Sequence, residues 1–432
     1  MDIAIYTLKS IALTITEPSL VIVLVVLAVV LNSQNKKTTV MQKMIVGERL
    51  NSPLELTISQ LVLGIFGGLF SSLILSYLGV MFDQNSGIEF IFLVSIILML
   101  WNPRFICFAY SGAILGIISI FYNEFNKGNT TGTSSVGFIN LNIVSLMTLI
   151  GVLHVVEGLL VLIDGSRGAI PVFTNKGGKI IGGFAFKRYW PIPIVLLFII
   201  KNNLTSGGNA VSTPAWWPLI NLNYSVQFLK ELIIGSIPLF GILGYNSITF
   251  TKDKAEKTTL SGIFILSYGV LLSFVAQLAG YGVGMQIFVV IFAPAAHEGM
   301  LSLQRHLEFK GEPKYISDKD GIMVLEVAPG SPAFEMGILS GDTLLSINNK
   351  IIENEIDIMQ YINNPINYIL FKIRRSDGRE EEVNYTNLPK DKRLGVVFVP
   401  RCLPKDSVIV KFEEGKFGEV MDKIKNKDED GE

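Results

Sequence analysis

Residues 320–349 read DGIMVLEVAPGSPAFEMGILSGDTLLSINN, and this stretch decides the fold of the C-terminal part of the chain. Residues 323–328 alternate as a pleated segment with one buried face would, which predicts a strand. The next residues predict a short helix, because a serine caps it and a proline suits its first position. A glycine then ends the helix and a Gly-Asp pair turns the chain into a second strand. The cap and the turns are Gly330, Ser331, Pro332, Gly337, Gly341 and Asp342.

This stretch resembles the core of a bacterial PDZ domain, because its glycines, its capping serine and its apolar residues have the same spacing. The resemblance implies a peptide-binding module, in which an extended partner segment adds to an open strand edge beside a helix. The residues predicted to line this groove are Leu394, Gly395, Val396 and Phe398 on the closing strand, and Ile356, Met359 and Gln360 on a helix over residues 355–363.

The closing strand has two interpretations. Leu394, Gly395 and Val396 resemble a glycine turn whose backbone N–H groups bind a terminal carboxylate. Tyr315 and Ile316, ahead of the first strand, are a second candidate for this turn but lack the glycine. Alternatively, the strand only closes the sheet and binds no carboxylate. Before it, residues 368–374 and 380–385 are predicted to form a hairpin turned by an Asp-Gly pair.

The rest of the chain is much more apolar. Of the 432 residues of the whole chain, 50% are hydrophobic and only 17% are charged, whereas a soluble protein carries about 25% charged residues. The mean hydropathy is +0.47. We therefore predict an integral membrane protein with a soluble C-terminal part. The two cysteines, Cys107 and Cys402, imply no disulfide framework, and no Cys/His zinc spacing is present.

About eight or nine segments are predicted as membrane spans, since roughly 20 apolar residues cross a bilayer as a helix. They are residues 11–31, 56–80, 88–101, 105–122, 141–163, 191–200, 232–250, 260–280 and 282–296. The segment 191–200 is long enough to cross only if residues 184–190 join it. The basic loops between them fall on one side with the PDZ-like region, and basic loops stay cytoplasmic. The predicted fold is a polytopic α-helical membrane bundle (residues 1–306), a cytoplasmic soluble α+β PDZ domain (307–400) and a charged tail (401–432).

Ionisable residues within the spans are candidates for function, because a charge in the bilayer is costly. His154 and Glu157 share one helix face, and His297 and Glu298 close the last predicted span. A metal site or a proton relay is one interpretation. The predicted positions of the two histidines across the membrane argue against a shared site. His154 lies inside its span, whereas His297 lies at the end of its own span. The favoured interpretation is hydrogen bonding between helices, and we expect no metal and no cofactor.

An enzyme is the main alternative. Site-2 intramembrane proteases combine several spans and a PDZ domain with an HExxH helix and an LDG motif. His297 and Glu298 are followed by Leu301 where the second histidine would stand, and Asp164 precedes this pair instead of following it. Two histidines one turn apart hold that zinc. We expect no catalytic residues, and a transporter that uses His154 and Glu157 is a further alternative.

Many predicted spans and a C-terminal cytoplasmic PDZ domain together resemble the MinJ-like cell-division membrane proteins of Gram-positive bacteria. The resemblance implies a scaffold in the cell membrane that places the division site. Its implied partners are proteins of the DivIVA and MinD type, bound through the PDZ domain. The lipid bilayer is the other expected partner, and no nucleic acid is expected.

Overall fold

The computed structural model describes residues 2–47, 50–83, 86–126, 139–200, 211–214, 216–220, 233–352, 358, 368–386 and 393–401. Within these ranges, six helices are long and apolar enough to cross a membrane. They are α2 (Pro18–Val46), α3 (Pro53–Leu78), α5 (Phe108–Asn126), α6 (Ile143–Asp164), α7 (Lys254–Val275, with a 3-10 turn continuing to Tyr281) and α8 (Val283–Lys310). Two shorter helices are α1 (Ile3–Thr16) and α4 (Phe90–Trp101).

Two of the predicted spans, residues 191–200 and 232–250, are wrong, because both segments form strands. Strand β3 (Lys179–Ile200) pairs antiparallel with strand β4 (Ile233–Thr249) along the whole length of β4. Pro191, Pro193 and Pro238 would each remove a helical hydrogen bond, and the aliphatic and aromatic residues around them suit a strand. The predicted count of eight or nine helical spans is therefore not confirmed.

Most of β3 is buried and helix α3 packs along it, whereas β4 is only partly buried. Helix α3 crosses β3 at Gly64 and Gly68, where a Cβ atom would overlap carbonyl oxygens of the strand. Val195 N donates a hydrogen bond to Ser72 Oγ at 2.9 Å, which fixes this crossing. Three shorter strands complete the sheet: β1 (Met81–Asp83), β2 (Ile170–Lys176) and β5 (Tyr315–Ile316).

A break separates the helices that correspond to the predicted spans 88–101 and 105–122. Helix α4 has 12 residues, and a 3-10 turn (Pro103–Ile106) leads from it into α5. Proline disfavours helix at the residue before it, which explains why α4 ends here. Cys107 therefore lies in the connection between two helices.

Helix α8 is longer than the predicted span 282–296. It contains Pro294 without ending there, and it continues past the predicted domain boundary to Lys310. His297 consequently lies near the middle of a helix and not at its end. Close to the C-terminal end, the Glu308 carboxylate accepts hydrogen bonds from Phe250 N at 2.7 Å and Thr251 N at 3.0 Å, which ties α8 to the end of β4.

The PDZ-like region folds around its own hydrophobic core. Its sheet has the strand order β10–β9–β7–β6–β11, with β8 beside β7. The strands are β6 (Ile322–Val327), β7 (Thr343–Ile347), β8 (Lys350–Ile351), β9 (Tyr368–Arg374), β10 (Glu380–Thr386) and β11 (Val396–Phe398). The β9–β10 hairpin occupies the predicted residues. The α+β architecture expected of this region is therefore present.

The predicted cap and turn residues lie at the ends of these elements. Ser331 Oγ accepts a hydrogen bond from Phe334 N at 3.2 Å at the start of α9 (Pro332–Glu335), and the glycines Gly330, Gly337 and Gly341 all have positive φ angles. Asp342 accepts a hydrogen bond from Arg375 at 2.7 Å. Partial burial raises the pKa of Asp342 above its usual value, although Leu339 N and the Arg375 guanidinium favour the charged form.

The PDZ-like region packs against residues 2–310. Strand β5 extends the sheet of β3, and Gly182 on β3 lies against Leu325 and Val399, so that a Cβ at Gly182 would meet both side chains. Lys254 Nζ, at the start of α7, lies 2.5 Å from a carboxylate oxygen of Glu326. These contacts place the PDZ-like region at the ends of α7 and the β3–β4 hairpin.

Candidate functional site

The first candidate site is the edge of the PDZ sheet formed by β11. Among the described residues, only β6 pairs with this strand. Gly395 O accepts a hydrogen bond from Ala328 N at 2.8 Å, and Val399 N donates one to Met323 O at 2.9 Å. Because backbone groups alternate in direction along a strand, those of Val396 and Phe398 point away from β6. This edge can pair with an added strand.

The turn before β11 is held by the start of α9. Gly395 has a φ angle of 71°, and a Cβ atom there would overlap Ser331. Leu394 O accepts a hydrogen bond from Ala333 N at 3.1 Å, and the Leu394 side chain is buried in the PDZ core. The other predicted groove residues, Ile356, Met359 and Gln360, lie outside the described residues.

A basic depression lies beside this turn. The Arg393 side chain lies against Gly47, where α2 ends. Val40, Lys43 and Met44 complete the lining of an open depression of about 570 Å³. Its two cationic side chains, Lys43 and Arg393, favour an acidic ligand.

The second candidate site is the Cys–His cluster, which consists of Cys107, His154 and His297. Cys107 Sγ lies 3.0 Å from His154 Nε2 and 3.5 Å from His297 Nε2. The two imidazole rings have centroids 5.6 Å apart. Both histidines are buried, with 2% and 7% of their surfaces exposed. Three elements that are distant in sequence therefore meet here.

The expectation that His154 and His297 lie at different depths in the membrane, too far apart to share a site, is wrong. The predicted span ended at residue 296, where the apolar residues stop, and His297 was therefore expected at its end. The helix itself, α8, continues to Lys310. Both histidines lie near the middle of their helices, α6 and α8, and the α4–α5 connection brings Cys107 between them.

Each histidine has a second partner on its other ring nitrogen. His154 Nδ1 lies 2.8 Å from Ile150 O. His297 Nδ1 lies 3.4 Å from Tyr110 Oη, and Tyr110 donates a short hydrogen bond to Glu298. These contacts orient both rings with Nε2 towards Cys107.

Glu157 and Asp164 take different positions. Glu157 follows His154 by one helical turn on the same face and lies within electrostatic range of Cys107, outside the three-residue cluster. Asp164 lies ten residues after His154 on the same helix, about 15 Å away at 1.5 Å per residue. It bonds Arg188 and Trp190 instead. The structure therefore does not bring together the HE and LDG elements of a site-2 protease.

Sequence reasoning missed three residues of this site. Cys107 contributes the sulfur, Tyr110 orients His297, and the Tyr268 ring packs edge-on against His154 with centroids 4.8 Å apart. The proline-containing break after α4 was the available signal, because non-helical backbone within a membrane domain is tolerated where it is buried in protein or lines a cavity.

Comparison with known proteins identifies a PDZ domain over residues 323–367. The cell division topological determinant MinJ of Bacillus subtilis (strain 168) is 23% identical over 257 residues, which are 56% of this chain and 60% of MinJ. The chain is similar to MinJ. The match spans less than two thirds of the length of MinJ. No solved structure matches the chain.

These findings confirm the MinJ-like resemblance and the PDZ domain predicted from the sequence. Together with the six apolar helices, they identify a membrane protein that carries a PDZ domain. The similarity to MinJ leaves the Cys–His cluster unexplained, so that the two candidate sites require separate arguments.

Proposed function

We propose that the chain is a membrane-anchored adaptor that positions a partner protein for division-site placement. The partner binds as an extended segment along β11. The observation that carries the proposal is that, among the described residues, this strand pairs only with β6. The PDZ domain supports protein binding, and the similarity to a cell division topological determinant supports the division-related role. The membrane helices fix the location at which the partner is held.

The expected ligand is an acidic or C-terminal segment. Val396 and Phe398 offer their backbone groups to an added strand, and the turn at Gly395 lies at its end. Lys43 and Arg393 favour a carboxylate at that end. Division proteins of the DivIVA and MinD type are the candidates that the resemblance to MinJ-like proteins implies.

The proposed topology is multi-pass with the PDZ domain in the cytoplasm. The helix ends that meet the PDZ domain are basic: Lys43 lies in the last turn of α2, Lys254 begins α7 and Lys310 ends α8. Lysine and arginine concentrate on the cytoplasmic side of membrane proteins. The contact between Lys254 and Glu326 supports this topology, because it joins the PDZ domain to the start of α7.

The proposed adaptor performs no catalytic step of its own. His297 and Glu298 lack the second histidine of an HExxH pair, since Leu301 occupies that position. Asp164 is held by Arg188 and is not directed at the Cys–His cluster. Recruitment alone accounts for the function proposed here.

Site-specific photo-cross-linking in the full chain tests this function. A photoreactive amino acid replaces Val396 on the open edge, and in a matched control it replaces Glu382 on β10, the opposite edge strand of the same sheet. In dividing Gram-positive cells, we expect a cross-link to a cytoplasmic division protein from position 396 and none from position 382. Deletion of residues 313–400 should release that partner from the septum while the shortened chain still enters the membrane.

Two outcomes would contradict the proposal. Equal cross-linking from positions 396 and 382 would mean that β11 is not the binding edge. Unaltered localisation of every division protein after deletion of residues 313–400 would mean that the PDZ domain recruits none of them.

A further inference from the structure

The spacing of Cys107, His154 and His297 suits a single metal ion. Their ligand atoms, one sulfur and two Nε2 nitrogens, all lie within 4.8 Å of one another. In a tetrahedral zinc site, with Zn–S of about 2.3 Å and Zn–N of about 2.0–2.1 Å, sulfur and nitrogen ligands lie about 3.5 Å apart. The two S···N distances here are 3.0 and 3.5 Å. Small side-chain movements would admit the ion.

The hydrogen bonds of the two histidines also show which ring nitrogen of each carries the proton. Ile150 O can only accept, so His154 Nδ1 carries the proton and donates it. Tyr110 donates its proton to Glu298, so Tyr110 Oη accepts from His297 Nδ1. Both Nε2 atoms therefore present unprotonated lone pairs to Cys107. Metal-binding histidines characteristically donate their other N–H to a carboxylate, a backbone carbonyl or a water molecule.

Hydrogen bonding alone explains this arrangement poorly. A thiol carries one proton and can donate to only one of the two Nε2 atoms. A cation between a Cys107 thiolate and two neutral imidazoles satisfies all three ligands at once.

We propose that Cys107, His154 and His297 bind a divalent transition-metal ion, with zinc as the expected occupant. Cysteine and histidine ligands select zinc over magnesium and calcium. The metal connects the α4–α5 connection to α6 and α8 and stabilises their packing. This proposal does not depend on the adaptor function.

Metal content of the purified full chain tests the site. The protein carries an affinity tag without histidines and is isolated in detergent from cells supplied with zinc. Mass spectrometry of the elements should find about one zinc ion per chain. Cys107→Ser and His154→Ala should each lower this content at least fivefold. His306→Ala is the matched control, because His306 lies on the same helix as His297 but is exposed, and it should retain the metal.

Cobalt substitution provides a second measurement that does not depend on the folding of a variant. Removal of the ion with a chelator and reloading with Co²⁺ should produce a thiolate-to-cobalt charge-transfer band in the unmodified chain. Restoring zinc should also raise the unfolding temperature of the chelator-treated chain. With Cys107→Ser, neither the band nor the shift should appear.

The proposal is overturned if the unmodified chain retains no zinc, iron or copper after reloading and shows no cobalt–thiolate band. It is also overturned if Cys107→Ser and His154→Ala retain as much metal as His306→Ala. Both results can be obtained whether or not β11 binds a division protein.

Discussion

Arg188 Nε lies 3.0 Å from Asp164 Oδ2, and both side chains are almost completely buried. The pair joins the end of α6 to β3. Trp190 Nε1 donates to the same carboxylate at 2.9 Å, and Ser59 Oγ lies 3.3 Å from its other oxygen. A buried carboxylate with these partners remains favourable only while its cation is present.

Arg188→Ala should therefore destabilise the protein strongly. Removal of one partner from a buried ion pair leaves an uncompensated charge and costs about 3–5 kcal/mol. The control is Arg167→Ala, because Arg167 lies 3.5 Å from the same Asp164 but is 51% exposed. Its loss should cost about 1 kcal/mol or less. Unfolding of the full chain in detergent measures both variants, and equal losses would contradict the prediction.

Helices α6 and α7 approach each other at glycines, and this contact gives the second prediction. A Cβ at Gly158 would lie 2.7 Å from Gly262 O, and a Cβ at Gly269 would lie 2.5 Å from Val155 N. Small residues permit such close packing between membrane helices. Gly158→Leu should separate α6 from α7 and lower the free energy of unfolding by about 1–3 kcal/mol or more.

Gly284→Leu is the control for this substitution, since nothing lies within 4 Å of a Cβ at Gly284. It should leave the unfolding transition in detergent nearly unchanged. Because Tyr268 on α7 packs against His154, Gly158→Leu should also disturb the Cys–His cluster. A variant as stable as Gly284→Leu would show that the glycine contact contributes little.

The parts of the fold that were predicted from the sequence depend on short-range patterns. The cap at Ser331, the turn at Gly337 and the β9–β10 hairpin each involve residues within a few positions of one another. Strand β4 was mistaken for a membrane helix because an apolar run satisfies either structure. Its glycines and Pro238 disfavour a regular helix.

The Cys–His cluster required information that the sequence does not contain. Cys107 and His297 are 190 positions apart, and no periodicity links them. The depth of His297 depended on where α8 ends, and its later turns are polar enough to resemble a linker. Hydropathy shows where the apolar residues stop, but it does not show where a helix that continues beyond them ends.

Gly395→Ala gives the third prediction. The backbone at Gly395 has a φ angle of 71°, and an added Cβ would overlap Ser331, the cap of α9. A left-handed backbone costs a residue other than glycine roughly 1–2 kcal/mol, and the overlap adds about 1–3 kcal/mol. The turn before β11 should open, and both the stability of the PDZ domain and partner cross-linking from position 396 should fall.

Gly378→Ala separates the two causes. Gly378 has a φ angle of 86° in the β9–β10 turn, but nothing lies within 4 Å of a Cβ there, so only the backbone cost applies. Limited proteolysis of the full chain should therefore show faster cleavage within residues 313–400 for Gly395→Ala than for Gly378→Ala. Similar cleavage rates for the two variants would mean that the contact between the turn and Ser331 does not hold β11 in place, and the binding edge would then need another source of rigidity.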